Sequence, residues 1–154
     1  MNAASGSIRL MQQEDLAAVY EVYLLAHLDE YSGETTTFAP QGISESPVLS
    51  QLFEQCDVFV YDDGTVKGFV GNRNERISWL YVHPDYRGQK IGRQLIDFML
   101  ERLGGQAAIS VIKSNKLALS LYSKRGFKVF GDFTFAYQNV PVEVYSMRLG
   151  SPAS

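Results

Sequence analysis

The sequence predicts an α/β domain with a mixed, mostly antiparallel sheet and helices on both faces. The first observation is a strand–helix–strand pattern: apolar, β-rich runs at residues 77–82 and 107–112 flank a helical apolar stripe that begins near residue 90. The second is a pair of β-rich runs around residues 62–64 (DDG), which is typical of a hairpin. The third is a pair of alternating runs near the C-terminus, which predicts another hairpin.

The predicted elements follow in the order β α α β β β α β α β β. A strand at residues 7–11 precedes a helix at residues 12–28, where apolar side chains recur every three or four positions. Residues 29–47 are rich in turn formers and form a long irregular segment, a kind that is commonly functional. The remaining elements are a helix at residues 48–55, strands at 57–61, 65–72 and 77–82, a helix at 90–103, a strand at 107–112, a helix at 115–125, and strands at 129–137 and 142–149.

The length of 154 residues fits one domain, predicted over residues 1–150, with residues 151–154 as a disordered tail. No apolar run approaches the roughly 20 residues that span a membrane, and the N-terminus lacks the pattern of a secretory signal. One cysteine and two histidines are too few for a disulfide framework or for a metal site built from these residues. We therefore expect a cytoplasmic protein with no metal and no membrane partner.

The net charge of −3 is divided unevenly along the chain. Residues 1–57 contain nine acidic side chains and one basic one, a charge of −8, whereas residues 58–154 contain eight acidic and thirteen basic ones, a charge of +5. The overall acidity, with an isoelectric point of about 5.4, disfavours a nucleic-acid partner. The division fits an enzyme that binds an anionic cofactor on its basic side and a cationic acceptor on its acidic side. The alternative is that the acidic and the basic side chains simply lie on solvent-exposed surfaces and bind nothing.

The segment RGQKIG at residues 87–92 lies between a predicted strand and a predicted helix. A helix N-terminus has unpaired N–H groups and a favourable dipole for anions, and glycine lets a ligand approach the backbone closely. The segment is therefore a candidate pyrophosphate site, with an ordinary strand-to-helix turn as the alternative. It matches neither the P-loop nor the Rossmann fingerprint.

Two motifs in the sequence resemble those of the GNAT N-acetyltransferase superfamily. Motif A of that family reads [Q/R]-x-x-G-x-[G/A] after a strand that ends in V-x-P; Arg87 and Gly92 match its ends, and Lys90 stands where glycine is usual. Residues 115–127 match motif B, N-x-x-A-x-x-x-Y-x-x-x-G-F, without a gap. The predicted order of elements is also that of the family, so the resemblance extends over nearly the whole chain.

The resemblance implies that the chain uses acetyl-CoA as a co-substrate. The implied cofactor-binding residues are the main chain of Leu80, Tyr81 and Val82, the loop residues Arg87, Gly88, Gln89, Lys90, Ile91, Gly92 and Arg93, and Asn115. For Asn115, a plain helix cap is the alternative. The resemblance also places the hydroxyl of Tyr122 near the thioester sulfur, where a phenol can protonate the departing thiolate. Periodicity alone would make Tyr122 a core residue.

The sequence does not identify the group that deprotonates the amine. A lysine-like amine has a pKa of about 10.4, so roughly one molecule in a thousand is neutral at pH 7.4. Glu75, Glu143 and His83 are titratable groups near the relevant strands, but His83 precedes a proline and fits a turn equally well. A relay through water is a further alternative.

These observations predict an N-acetyltransferase that moves an acetyl group from acetyl-CoA to a primary amine by direct attack in a ternary complex. The acceptor is expected to be cationic. Three alternatives remain open: a transferase for another acyl-CoA, a non-catalytic CoA-binding or regulatory module, and a protein-interaction domain that uses the aromatic C-terminal hairpin, with a homodimer as one form.

Overall fold

A computed structural model of the chain describes residues 6–150, so the predicted tail at residues 151–154 lies outside the described residues. The strands are β1 (Ser7–Leu10), β2 (Asp57–Asp62), β3 (Val66–Arg73), β4 (Arg76–Val82), β5 (Ala107–Ile112), β6 (Lys128–Tyr137) and β7 (Val140–Leu149). The α-helices are α1 (Leu16–Ala26), α2 (Pro47–Glu54), α3 (Ile91–Arg102) and α4 (Lys116–Ser123). This order confirms the predicted α/β fold.

The strands form one sheet in the order β1-β2-β3-β4-β5-β7-β6. β4 and β5 run parallel, and the other neighbouring pairs run antiparallel. The parallel pair is the one that α3 connects, as expected for a strand–helix–strand crossover. β6 forms one edge of the sheet and leaves Phe130 and Phe133 exposed.

Helices cover both faces of the sheet, and β2 shows how its side chains divide between them. Val58 and Val60 pack with residues of α1 and α2, whereas Phe59 and Tyr61 pack with residues of α3. Successive side chains of a strand point to opposite faces, so an uninterrupted apolar run such as β2 is stable only when both faces are covered. The predicted two-sided arrangement is confirmed.

A β-bulge in β4 separates it from β5. Gly71 of β3 lies opposite Trp79 and Asn72 lies opposite Ile77, so Ser78 is an extra residue in β4. A bulge bends the strand that contains it and increases its twist. β4 pairs with β5 only at Arg76 and Ile77, before the bulge. Beyond it no pairing joins the two strands, and we call the gap between their carboxyl ends the crevice.

The first helix is shorter than the predicted residues 12–28. Residues Gln13–Asp15 form a separate 3-10 turn, because the Asp15 carboxylate accepts a hydrogen bond from the Gln12 N–H (2.7 Å) and is held by Arg9. The α-helix ends at Ala26, where His27 bonds the main chain, and residues His27–Tyr31 continue as a 3-10 turn. Local side-chain hydrogen bonds thus override the helical period at both ends.

Among residues 6–150, no helix is long and apolar enough to cross a membrane.

Candidate active site

The crevice between β4 and β5 has a free main-chain edge. Leu80, Tyr81 and Val82 pair with β3 on one side, opposite Val70, Phe69 and Gly68 respectively. On the other side, within the described chain, no strand pairs with these three residues. An extended ligand with amide groups can add to such an edge as another strand would. The predicted cofactor residues of β4 therefore lie where a pantetheine arm could bind.

The loop between β4 and α3 presents a helix N-terminus to this crevice. His83 caps the short turn Pro84–Tyr86 by accepting a hydrogen bond from the Asp85 N–H (3.1 Å). Lys90 then adopts a left-handed conformation (φ 64°), and α3 begins at Ile91 without a side-chain cap. Lys90 thus takes a glycine-like backbone conformation at the position where the family usually has glycine. The first N–H groups of α3 remain available to an anion.

The cations of the loop differ in their surroundings. Arg87 forms an ion pair with Asp29 from the turn after α1, and both side chains are about half exposed. Lys90 and Arg93 are exposed, as are Gly88 and Gln89, whereas Ile91 is buried and anchors the start of α3. The loop therefore offers two exposed cations beside the helix N-terminus, and a third that a pyrophosphate could bind only in competition with Asp29.

Motif B places two of the predicted residues on α4. The side-chain oxygen of Asn115 accepts a hydrogen bond from the Ala118 N–H (3.3 Å), so Asn115 caps the helix. Tyr122 is buried, and its ring packs against Phe127 in the core beneath α3. Burial raises the pKa of Tyr122 above its ordinary value, and the Glu30 carboxylate raises it further. The hydroxyl therefore keeps its proton at neutral pH, as a general acid must.

Glu30 approaches the crevice from the α1 face of the sheet, opposite to Tyr122, and no sequence motif points to it. It lies in the 3-10 turn His27–Tyr31, and its carboxylate accepts a hydrogen bond from the hydroxyl of Tyr81 (3.0 Å). The residue is partly accessible, but its carboxyl group lies among neighbouring side chains, and this burial raises its pKa to about 7. Its charge raises the pKa of five surrounding tyrosines, namely Tyr23, Tyr31, Tyr81, Tyr122 and Tyr137.

The three titratable groups considered from the sequence are engaged elsewhere. Glu75 pairs with Arg148 (3.3 Å) at the end where β4 and β5 are still hydrogen-bonded. Glu143 is exposed and lies 3.5 Å from Lys113. His83 caps the turn after β4, as its position before a proline suggested. No sequence pattern marks Glu30 as different from its acidic neighbours, because its burial depends on how the turn after α1 folds back.

Residues 54–129 match the family described as Acetyltransferase (GNAT) domain. The matched residues run from the end of α2 to the start of β6 and include the bulge, the loop and Tyr122. The match covers 76 of the 154 residues and confirms the predicted resemblance to the GNAT superfamily. The relatives below are all named as acetyltransferases or acyltransferases.

Two curated relatives differ in the extent of their similarity. The chain is 36% identical over 74 residues to the peptidyl-lysine N-acetyltransferase YjaB of Salmonella typhimurium, a match that covers 48% of this chain and 50% of that protein. It is 26% identical over 137 residues to the L-amino acid N-acyltransferase MnaT of Escherichia coli, which covers 80% of both. The chain thus spans about half the length of the first relative and most of the second.

Solved GNAT structures share the fold over nearly the whole chain. The ribosomal-protein-S18-alanine N-acetyltransferase of Escherichia coli superposes with a TM-score of 0.73 at 21% identity and covers 97% of this chain and 96% of its own. The yncA protein of Salmonella typhimurium, solved with its cofactor acetyl-CoA, superposes with a TM-score of 0.70 at 19% identity and covers 98% of both chains. These likenesses show the fold.

An aromatic cluster lies at the carboxyl end of β5, beside Ile112. Tyr31 stacks on Tyr137 with ring centroids 4.6 Å apart, and Phe38 lies 5.0 Å from both. The side-chain amide of Gln138 bonds the N–H and the carbonyl of Ala39 (2.9 and 2.7 Å) and so fastens the irregular segment to the β6–β7 hairpin. Of the other aromatic residues in these regions, Tyr20, Tyr23 and Trp79 pack into the core beneath α1, and Phe133 is exposed on β6.

A cavity of about 510 Å³ opens beside this aromatic cluster, at the carboxyl end of β5. Its lining carries charges of both signs, with Glu34 and Glu143 facing Lys113 and Lys116. The hydroxyl of Ser114 bonds the Glu34 carboxylate there. The charges around the crevice are therefore mixed, and Asp29 is neutralised by Arg87. The acidic surface near the crevice is smaller than the charge of residues 1–57 suggests.

Within the described residues, no group of three or more His, Cys, Asp or Glu side chains converges on a point that could hold a metal ion.

Proposed function

We propose that this protein transfers an acetyl group from acetyl-CoA to a primary amine by direct attack in a ternary complex. The observation that carries the proposal is the crevice beyond the β4 bulge, with the α3 N-terminus after β4 and with Tyr122 in the core cluster that also includes Leu80 and Val82. This transfer requires a loop that binds the pyrophosphate, a strand edge that pairs with the amide-containing arm and a buried acid that protonates the leaving thiolate.

Each group has a distinct task in this reaction. The first N–H groups of α3, with Lys90 and Arg93, hold the pyrophosphate by hydrogen bonds and charge. The main-chain edge of Leu80, Tyr81 and Val82 aligns the pantetheine arm in the crevice. Acetyl-CoA supplies the activated acyl group as a thioester. Tyr122 gives its proton to the departing sulfur, so that the thiol rather than the thiolate leaves.

The assay that tests this function is thiol release from acetyl-CoA in the presence of a panel of amines, with the acetylated product confirmed by mass. The panel should contain free amino acids, diamines, lysine peptides and peptides with free N-termini. We expect release that depends on an amine. Tight acetyl-CoA binding without transfer to any amine would instead support the non-catalytic module, and transfer only from longer acyl-CoA donors would support the other transferase.

We expect acceptors that keep a positive charge beyond the reacting amine to be preferred. Glu30 and Glu34 remain near the crevice and are bonded to hydroxyl groups rather than to cations, so their charge can attract a cationic acceptor. The KM for a diamine should rise as salt increases, because ions screen charges over about 8 Å at physiological strength. The matched acceptor is the corresponding mono-amine, whose KM should rise less, because it carries one positive charge rather than two. Equal KM values with the same salt dependence would contradict this prediction.

A further inference from the structure

We propose that Glu30, which enters the crevice from the turn after α1, accepts the proton that the attacking amine must lose. The proposal rests on the proposed acetyl transfer and assigns the base that neither the sequence nor the family motifs identify. In this chain the base therefore comes from the acceptor side of the crevice and not from β4, whose residues between Arg76 and His83 include no acidic side chain.

The position of Glu30 follows from two contacts on opposite faces of the sheet. Its carboxylate bonds the hydroxyl of Tyr81, a β4 residue beyond the bulge, whose side chain packs against the cluster under α1. Tyr122 belongs to α4 and to the cluster under α3, on the other face. The charge of Glu30 nevertheless acts on Tyr122. The two groups therefore lie within electrostatic range of each other, although they belong to clusters on different faces of the sheet.

This arrangement suits the geometry of the reaction. An amine that enters from the side of α1 meets Glu30, while the thiol leaves on the side of Tyr122. The nucleophile and the leaving group lie on different sides of the carbonyl carbon, so the base and the acid are needed on different sides of the crevice.

The turn that carries Glu30 is fixed at three points. The Nε2 atom of His27 accepts a hydrogen bond from the Gln41 N–H (3.1 Å), so its Nδ1–H donates to the carbonyl of Tyr23 (2.9 Å). Asp29 pairs with Arg87, and Tyr31 stacks on Tyr137. A catalytic group must be held within about 0.5 Å of its working position, and these contacts restrain both neighbours of Glu30.

The titratable groups on which the charge of Glu30 acts are phenols from four surrounding elements and its own turn, and one of them, Tyr81, bonds it directly. They are Tyr23 of α1, Tyr31 of the same turn, Tyr81 of β4, Tyr122 of α4 and Tyr137 of β6. Among the described residues, no lysine or arginine contributes to the environment of its carboxyl group. Burial without a cationic partner makes the carboxylate a stronger base than an exposed glutamate, with its pKa near physiological pH.

The protons balance as follows. The acceptor arrives as an ammonium ion and gives one proton to Glu30, directly or through one water molecule. The nitrogen lone pair forms the C–N bond, and the C–S bond breaks as the Tyr122 proton moves to sulfur. The amide nitrogen loses its second proton to water, and water returns a proton to Tyr122, which restores the hydroxyl. Glu30 finally releases its proton to solvent, so that one proton is produced for each amide and thiol formed.

Glu30→Gln tests the proposal, because glutamine keeps the size and the hydrogen bond to Tyr81 but cannot accept the proton. We expect kcat/KM at pH 7.5 to fall at least tenfold with acetyl-CoA affinity unchanged. In the wild type, the pH profile of kcat/KM should rise through pH 7 as Glu30 ionises, and this rising limb should be absent from the profile of the variant.

Ionisation of the acceptor amine gives a second rising limb in the same profile. It can be recognised because its midpoint moves with the pKa of the amine used. Glu54→Gln, an exposed glutamate on α2, is the matched control and should keep both the rate and the limb.

Stability gives a readout that separates catalysis from folding. The pKa of Glu30 is higher in the folded than in the unfolded protein, so its contribution to stability falls as the pH rises from about 4 to 7 and then stays constant. At pH 8 the glutamine variant should therefore melt at the same or a higher temperature than the wild type. A residue that lowers stability in its ionised form and raises activity is characteristic of a functional site.

Tyr81→Phe provides an independent variant. The hydroxyl of Tyr81 lowers the pKa of Glu30 by bonding its charged form, so its removal should move the activity limb to higher pH. An active wild type whose limb near pH 7 survives Glu30→Gln and does not move in Tyr81→Phe would overturn the proposal. A rise in KM alone, with the limb kept, would also overturn it and show that Glu30 binds the acceptor. A wild type without acyl transfer would instead refute the proposed function.

Discussion

Replacing Tyr122 by phenylalanine is expected to lower kcat roughly 10²-fold and to leave the affinity for CoA nearly unchanged. The ring packs in the core against Phe127, and phenylalanine keeps that contact. What is lost is the proton donor for the thiolate. Because burial and Glu30 raise the pKa of Tyr122, the hydroxyl should donate at every pH at which the enzyme is stable, and it should add no basic limb below about pH 9.

The measurement is the single-turnover rate, so that product release does not hide the chemical step. Tyr145→Phe is the matched control, since Tyr145 packs against the same core cluster and has no proposed role in the reaction. We expect its rate to equal that of the wild type. A Tyr122→Phe rate within twofold of the wild type would show that Tyr122 is only a core residue, as its helical periodicity suggests on its own.

The parts of the site that the sequence predicts are those whose position depends on local structure. The loop at residues 87–92 and Tyr122 each lie at a fixed distance along the chain from a strand or from a helix start, so their motifs are visible in the sequence. Even the departure at Lys90 has a local explanation. A left-handed conformation costs a residue with a side chain about 1–2 kcal/mol, which a folded domain can tolerate, so the lysine adopts the conformation expected of glycine.

The order of the strands does not by itself show the crevice between β4 and β5. Its opening depends on the bulge at Ser78, and a serine in a β-rich run gives no signal of an extra residue. Glu30 could not be singled out for a related reason. It is one of nine acidic residues before residue 58, and its burial arises from contacts with Tyr81 and from the anchoring of His27 and Tyr31, which are distant in sequence from what they touch.

The uneven charge of the chain also has a different meaning in three dimensions. Asp29 pairs with Arg87, and Asp57 pairs with Arg102 of α3 (2.9 Å), so acidic and basic residues from the two parts of the chain meet in the fold. Exposed pairs of this kind contribute about 0–1 kcal/mol each to the stability of the fold. The first pair also holds Arg87, a cation of the loop at residues 87–92, against the turn after α1. A count of charges along the sequence cannot show which of them are already paired.

Gly92→Asp is expected to weaken CoA binding at least tenfold in a protein that still folds. A Cβ at this position would lie 3.6 Å from Val82, an ordinary contact, so the side chain itself fits. A carboxylate in the first turn of α3 is favourable to the helix, since it interacts with the positive end of the dipole. The same interaction places a negative charge where the pyrophosphate should bind, and the two anions repel each other.

Gly92→Ala separates charge from crowding in this experiment. It adds the Cβ without the carboxylate, so its dissociation constant for CoA should stay within about threefold of the wild type, because the added contact is an ordinary one. Calorimetric titration of CoA into the three proteins, with melting temperatures to confirm folding, gives the comparison. Equal weakening in the alanine and aspartate variants would mean that close approach of the backbone matters more than charge. An unchanged dissociation constant in folded Gly92→Asp would remove the α3 N-terminus as the pyrophosphate site.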